Sequence, residues 1–88
     1  MENWYQLNNV EELDSPALVV FPDRIKENLR VLKAFVPDTT RLRPHVKTNK
    51  CPDVCKLMMD AGIKKFKAAT IAEAEMLAMI SAPDVLLA

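Results

Sequence analysis

"RLRPHVKTNKCPDVCKLMMDAG", residues 41–62, reads as a strand followed at once by a helix, and this unit decides the fold class. In an extended chain successive side chains point to opposite faces. Arg41, Arg43, His45 and Lys47 would then share one face, with Leu42, Pro44, Val46 and Thr48 on the other. With Lys50 included, residues 41–50 hold five basic or potentially basic side chains. Pro44 has no amide donor, so the strand is expected to be irregular or edge-like there. Pro52 stands where a helix can start, and Val54, Leu57, Met58 and Ala61 make an apolar stripe at helical spacing. Gly62, the one glycine in the chain, suits a helix end that needs positive φ. The spacing predicts a helix from Pro52 to Ala61.

The same alternation extends in both directions. Upstream, Asp14, Ser15 and Pro16 release "ALVVF" (17–21), whose β-branched and aromatic content predicts a strand. Pro22 and Asp23 then open a helix with Ile25, Leu29, Leu32 and Val36 on its apolar face, closed by Pro37. Downstream, "KKFKAAT" (64–70) predicts a third strand, Ile71 to Ser81 a helix, and "VLLA" (85–88) a fourth strand after the break at Pro83 and Asp84. Strands alternating with helices over short connections imply parallel strands and helical crossovers, an α/β fold. Both open doubly wound sheets and (β/α)8 barrels begin this way, and a barrel needs roughly 250 residues. Residues 1–88 are therefore expected to be a single partial domain, the N-terminal part of something about three times longer or more.

Composition narrows the function classes. Half the residues are hydrophobic and 27% are charged, as in an ordinary globular protein. Twelve basic residues balance twelve acidic ones, so no global field recruits nucleic acid or an anionic membrane. The alternating cations lack the exposed aromatics or basic surplus of a nucleic-acid stripe. No apolar run is long enough to span a bilayer, and the N-terminus lacks the pattern of a secretory signal, so a cytoplasmic location is expected. Cys51 and Cys55 fall on one helical face and are read as reduced thiols that pack as small hydrophobes. A metal site combining them with His45 or Asp53 would lack a second ligand pair downstream.

Ligands of α/β proteins gather at the carboxyl ends of parallel strands, where Lys47, Thr48, Asn49 and Lys50 are predicted to lie. A lysine there can form a Schiff base, clamp a phosphate or pair with a carboxylate, and placement alone leaves these three roles open. Burying its cationic neighbours requires a bound anion, acidic partners or water. A single glycine cannot build a phosphate-cradling loop, and the sole histidine, His45, rules out a histidine cluster or a Ser-His-Asp relay within these residues. Glu73 and Glu75, two apart on a helix, do not face each other, and Glu73 suits the first turn, where a carboxylate complements the helix dipole. Met58, Met59, Met76 and Met79 are read as packing residues.

At "LRPHVKTNKCPDVCKLMMDAG" and "AATIAEAEMLA", with support from "SPALVVFPDRIKENL" and "DVLLA", the chain resembles the N-terminal region of the D-threonine aldolase and D-serine dehydratase family. The resemblance spans Ser15 to Ala88. It implies the alanine racemase fold, a TIM-like barrel with a second, mostly β domain, and pyridoxal 5'-phosphate as cofactor. In that family's motif, R-P-H-x-K-T-H-K, the first lysine carries the cofactor as an internal aldimine, and the matching residue is Lys47. Arg43, His45 and Asn49 are implied to lie around the cofactor, although the family's second histidine is Asn49 here, which matches the K-A-N-A run of alanine racemases instead. The resemblance implies a lyase or aldolase acting on a small-molecule amino acid, D-configured or β-hydroxylated. The alternatives are an amino acid racemase of the alanine racemase family and a non-catalytic α/β binding module. A divalent metal, where the family uses one, would be held by residues outside this chain. The strand before the first helix packs with the second domain in such enzymes, so "ALVVF" need not belong to the barrel. For residues 1–88 alone, the expectation is a catalytically silent chain that binds cofactor weakly. It is expected to form a homo-oligomer through apolar faces around Leu57, Met58, Leu77 and Ile80.

Overall fold

The computed structural model describes residues 3–88. Its regular elements are helices α1 (Pro22–Phe35), α2 (Pro52–Asp60) and α3 (Ile71–Met79) and strands β1 (Lys65–Ala68) and β2 (Asp84–Leu87). The two strands pair in parallel, with Lys65 opposite Asp84 and Lys67 opposite Leu86, and α3 crosses between them. On the other edge of β1, His45 forms a parallel bridge with Lys67, and the Lys67 amide donates to the Pro44 carbonyl at 2.9 Å. Extended segment, α2, β1, α3 and β2 thus follow one another as the alternating pattern implies. The sheet within this chain is open, an arc and not a closed barrel.

The helix ends follow local chemistry. Pro22 and Pro52 occupy first-turn positions whose amides would have no intrahelical partner anyway, and Asp23 and Asp53 place carboxylates at the positive ends of α1 and α2. α2 closes in a Schellman motif: the Ile63 amide donates to Met58 at 3.0 Å and the Gly62 amide to Met59 at 2.9 Å. Gly62 has φ +99°, the left-handed conformation that the motif requires. α3 ends the same way two residues earlier than the periodicity predicts, because Ser81 takes φ +60° and Ala82 donates back to Leu77 at 3.0 Å.

One face of the strands is covered by helices. Val46, Cys55, Ile63, Phe66, Ala68 and Leu77 are fully buried together, and Leu29, Leu32, Met58, Met59 and Val85 pack around them. In β1 the alternation is strict: Phe66 and Ala68 enter this core, while Lys65 and Lys67 stand half-buried on the opposite face.

Four expectations are corrected. "ALVVF" is extended but forms no ladder, and Leu18 is 65% exposed; no strand among the described residues lies beside it to take up its backbone groups. Residues 41–48 are not one strand, since single turns of 3-10 helix at Thr39–Arg41 and Val46–Thr48 leave only a short extended piece between them. Leu77 is fully buried and Met58 packs on the core, so those residues do not form an open apolar face. Met79 is 86% exposed and contributes nothing to the core, unlike the other three helical methionines named above. No helix among the described residues is long and apolar enough to cross a membrane.

Candidate functional site

The site is built at the carboxyl end of the parallel strands, on the turn that joins the extended segment to α2. His45 ends the extended segment by bridging β1. Its Nδ1 then accepts a hydrogen bond from the Lys47 amide at 3.2 Å, which caps the turn at Val46–Thr48. In neutral imidazole that leaves Nε2 as the protonated nitrogen. Val46 inserts into the core with no exposed surface, anchoring the turn from below. At the far side, Asn49 Oδ1 accepts from the Cys51 amide at 2.9 Å, an Asx turn, and lies 3.9 Å from Cys55 Sγ. Lys50 takes φ +49° and its amide donates to Val46 at 2.8 Å. The backbone around Lys47 is thus tied at each end. The Lys47 side chain is exposed, and its ammonium has no hydrogen-bond or ion-pair partner among the described residues.

The four cations of the predicted strand face are separated by the two 3-10 turns. Arg43 and His45 stay on the helix-free face, and Arg41 and Lys47 leave it. Arg43 Nη1 donates to the Phe66 carbonyl at 3.0 Å and pairs with Asp84 at 2.8 Å, tying the extended segment across β1 to β2. The hydrogen bond from Arg43 is the main cause that holds the Asp84 carboxyl below its usual range. Lys65 Nζ donates to the Thr40 carbonyl at 3.0 Å. Arg43 and Asn49 are therefore bound into the framework, whereas Lys47 presents a free amine.

Glu73 is nearly fully buried at the start of α3, and it is the one buried charged residue among those described. Its amide donates to Thr70 Oγ1 at 3.1 Å, and its Oε1 accepts from the Ala69 amide at 2.9 Å. This is a capping box whose carboxylate reaches one residue further back than usual. The Ala69 hydrogen bond lowers the carboxyl's pKa most; burial opposes it, while the Thr70 hydrogen bond and the nearby Lys50 and His45 side chains add to it. Sequence periodicity placed Glu73 in the first turn but gave no sign that its charge faces the Lys47 turn. The signal is the Thr-x-x-Glu spacing of Thr70 and Glu73 at the end of a strand.

Cys51 and Cys55 are free thiols. Burial, with the neighbouring Cys51 second, pushes the Cys55 thiol up to about 11. No cluster of three or more metal-ligating side chains occurs among the described residues. Two clefts lie elsewhere, one between α1 and α2 around Leu29 and Leu57 and one at the opposite end of the strands around Thr39 and Lys64.

Residues 20–87 match the family model described as the alanine racemase N-terminal domain. Over 77 residues, 86% of this chain, the sequence is 36% identical to D-threo-3-hydroxyaspartate dehydratase of Delftia sp. (strain HT23). The chain spans 20% of that relative's length. No solved structure matches. A family match covering most of the chain agrees with the parallel strand-helix alternation: the chain belongs to the alanine racemase N-terminal domain family.

Proposed function

We propose that this chain supplies the lysine-bearing segment of a pyridoxal 5'-phosphate-dependent lyase that acts on a β-hydroxylated D-amino acid. The observation that carries the reading is Lys47: an unpaired, exposed primary amine on a turn whose backbone is pinned on both sides, at the carboxyl end of parallel strands. These residues fit the cofactor, because attachment of an aldehyde needs an amine that is not already committed to a carboxylate. When bound, the cofactor acts as an electron sink for bonds broken at the substrate's α-carbon.

The protein's own residues then have distinct roles. Lys47 holds the cofactor and moves a proton at its Nζ. His45, fixed through Nδ1 by the Lys47 amide, offers Nε2 as a donor toward the same space. Asn49 and Arg43 support the site from behind, Asn49 by holding the turn and Arg43 by joining the extended segment to β1 and β2. Dehydration is preferred over aldol cleavage or racemisation because the relative that matches most of this chain is a dehydratase.

Borohydride reduction of the intact polypeptide with pyridoxal phosphate, followed by peptide mapping, is expected to leave the pyridoxyl group on Lys47. Recovery of the label on Lys50 would overturn the assignment. Lys47→Arg should abolish turnover, since a guanidinium, charged at all usable pH, cannot replace the amine.

A further inference from the structure

The helix-free face of the strands is layered, and its two layers differ in charge balance. Strand register places Lys65 opposite Asp84 and Lys67 opposite Leu86, and the bridge places His45 beside Lys67. Arg43, two residues before His45, falls in the same layer as Lys65 and Asp84. That lower layer is internally satisfied: Arg43 pairs with Asp84 at 2.8 Å, and Lys65 donates to the Thr40 carbonyl. The upper layer, nearer the carboxyl ends of the strands, contains His45, Lys67 and Leu86. Among the described residues it holds no acidic side chain.

Lys67 is half-buried, and its ammonium has no ion-pair or hydrogen-bond partner among the described residues. The nearest buried acid, Glu73, exerts its field on His45 and Lys50 and is committed to the Ala69 amide. A half-buried lysine beside an imidazole, with an apolar side chain as its other neighbour and no partner for its charge, can receive an anion from outside the chain. The anion must reach the mouth end of the strands, next to the residue whose ring holds the Lys47 turn. A substrate bound at Lys47 can place its side chain there.

We propose that Lys67 is a specificity-determining residue, whose ammonium receives the side-chain carboxylate of an acidic β-hydroxy amino acid beside His45. This inference rests on the lyase reading of the Lys47 site and adds to it the class of side chain selected. Leu86 closes the layer on the far side, where it gives no hydrogen bond to a neutral polar side chain. Charge at Lys67 therefore sets the preference.

The test compares wild type, Lys67→Met and Lys67→Arg in the intact polypeptide loaded with pyridoxal phosphate, using D-threo-3-hydroxyaspartate and D-serine as substrates. A charge-assisted hydrogen bond of ordinary strength predicts that Lys67→Met lowers kcat/KM for hydroxyaspartate about 10- to 100-fold and changes that for D-serine less than about 3-fold. Lys67→Arg should retain most of the hydroxyaspartate activity. Equal losses on both substrates, or none on hydroxyaspartate, would overturn the proposal.

A second readout is independent of turnover. His45 is the sole histidine of residues 1–88, so the ring-proton signal that disappears in His45→Asn is assigned to it. Titration with succinate should shift that signal saturably in wild type and not in Lys67→Met. A Lys67-dependent succinate response in a polypeptide that turns over no β-hydroxy amino acid would refute the lyase reading and leave the anion site standing. A response that persists in Lys67→Met would refute the site itself.

Discussion

Phe66 is the residue through which the core controls the site, and its truncation gives the most direct test of the architecture. It is fully buried between Lys65 and Lys67, it faces the helices, and its carbonyl accepts from Arg43. Phe66→Ala removes a ring that has no exposed surface in a core of only a few fully buried side chains. Such truncations cost about 3–5 kcal/mol. A chain of 88 residues has a total stability of about 4–13 kcal/mol at ordinary values per residue, so the variant loses between roughly a quarter and all of it. Phe66→Leu, which keeps most of the apolar contact, should cost only about 1 kcal/mol. Urea unfolding followed by far-ultraviolet circular dichroism is the appropriate assay. Trp4 fluorescence is not, because that ring lies against the Arg24 guanidinium at 3.7 Å and meets Phe21 edge to face at the N-terminal edge, away from this core. At a slope of about 1–3 kcal/mol/M, the alanine variant should lose at least about 1 M in midpoint or be unfolded without urea. If Phe66→Ala unfolds within about 0.5 kcal/mol of wild type, the ring is not where the core is closed, and the facing of Lys65 and Lys67 fails with it.

Two titrations complete the set. Cys55 is fully buried with its thiol pushed up to about 11, so at pH 8 about one molecule in a thousand carries its thiolate. Iodoacetamide at that pH should mark Cys51 and spare Cys55 in the mass spectrum, and equal labelling would contradict the burial. The folded state keeps the Cys55 proton longer than the unfolded one, so stability should fall as pH rises from 9.0 toward about 11. Glu73 behaves in the opposite sense. Its folded carboxyl is held below 4.5, chiefly by the Ala69 amide, so its stabilising effect is present above that value and is lost as pH falls through the folded pKa. Glu73→Gln keeps a side-chain acceptor for the Ala69 amide and removes the titration. It should flatten the loss of stability as pH falls below 4.5, and an unchanged slope would show that Glu73 does not carry the acid transition.

The sequence made the helices and their ends readable because these depend on neighbours in the chain. Pro22, Pro52 and Gly62 each act within one turn, and each lies where local chemistry requires. The strands depend on partners distant in sequence, and there the reading was less complete. "ALVVF" has every strand-forming residue but no neighbour to pair with among the described residues, so its composition predicted a tendency and not an element. Residues 41–48 alternate in charge, yet Pro44 and the hydrogen bonds of Asp38 and His45 to following amides favour 3-10 turns at both ends. Of the candidate site, the turn that carries Lys47 was singled out by motif resemblance. The roles of Asn49, which caps a turn, and Glu73, which faces the same turn from α3, depend on which atoms meet in three dimensions.

The broken strand also explains how five basic side chains can occupy ten residues without an acidic run to match them. A continuous strand would stack Arg41, Arg43, His45 and Lys47 along one face at alternate positions, with mutual repulsion and shared desolvation. The two 3-10 turns remove the outer pair from the stack, so only Arg43 and His45 remain on the helix-free face. Arg43 is neutralised by Asp84 from β2, a partner that parallel pairing brings to the same level. His45 caps the second of these turns by accepting the Lys47 amide through Nδ1. The same hydrogen bond fixes the backbone of Lys47 while leaving its ammonium unpaired. Reducing repulsion in the strand and presenting a free amine at its end are therefore one structural event, and the His45 imidazole is the group that joins them.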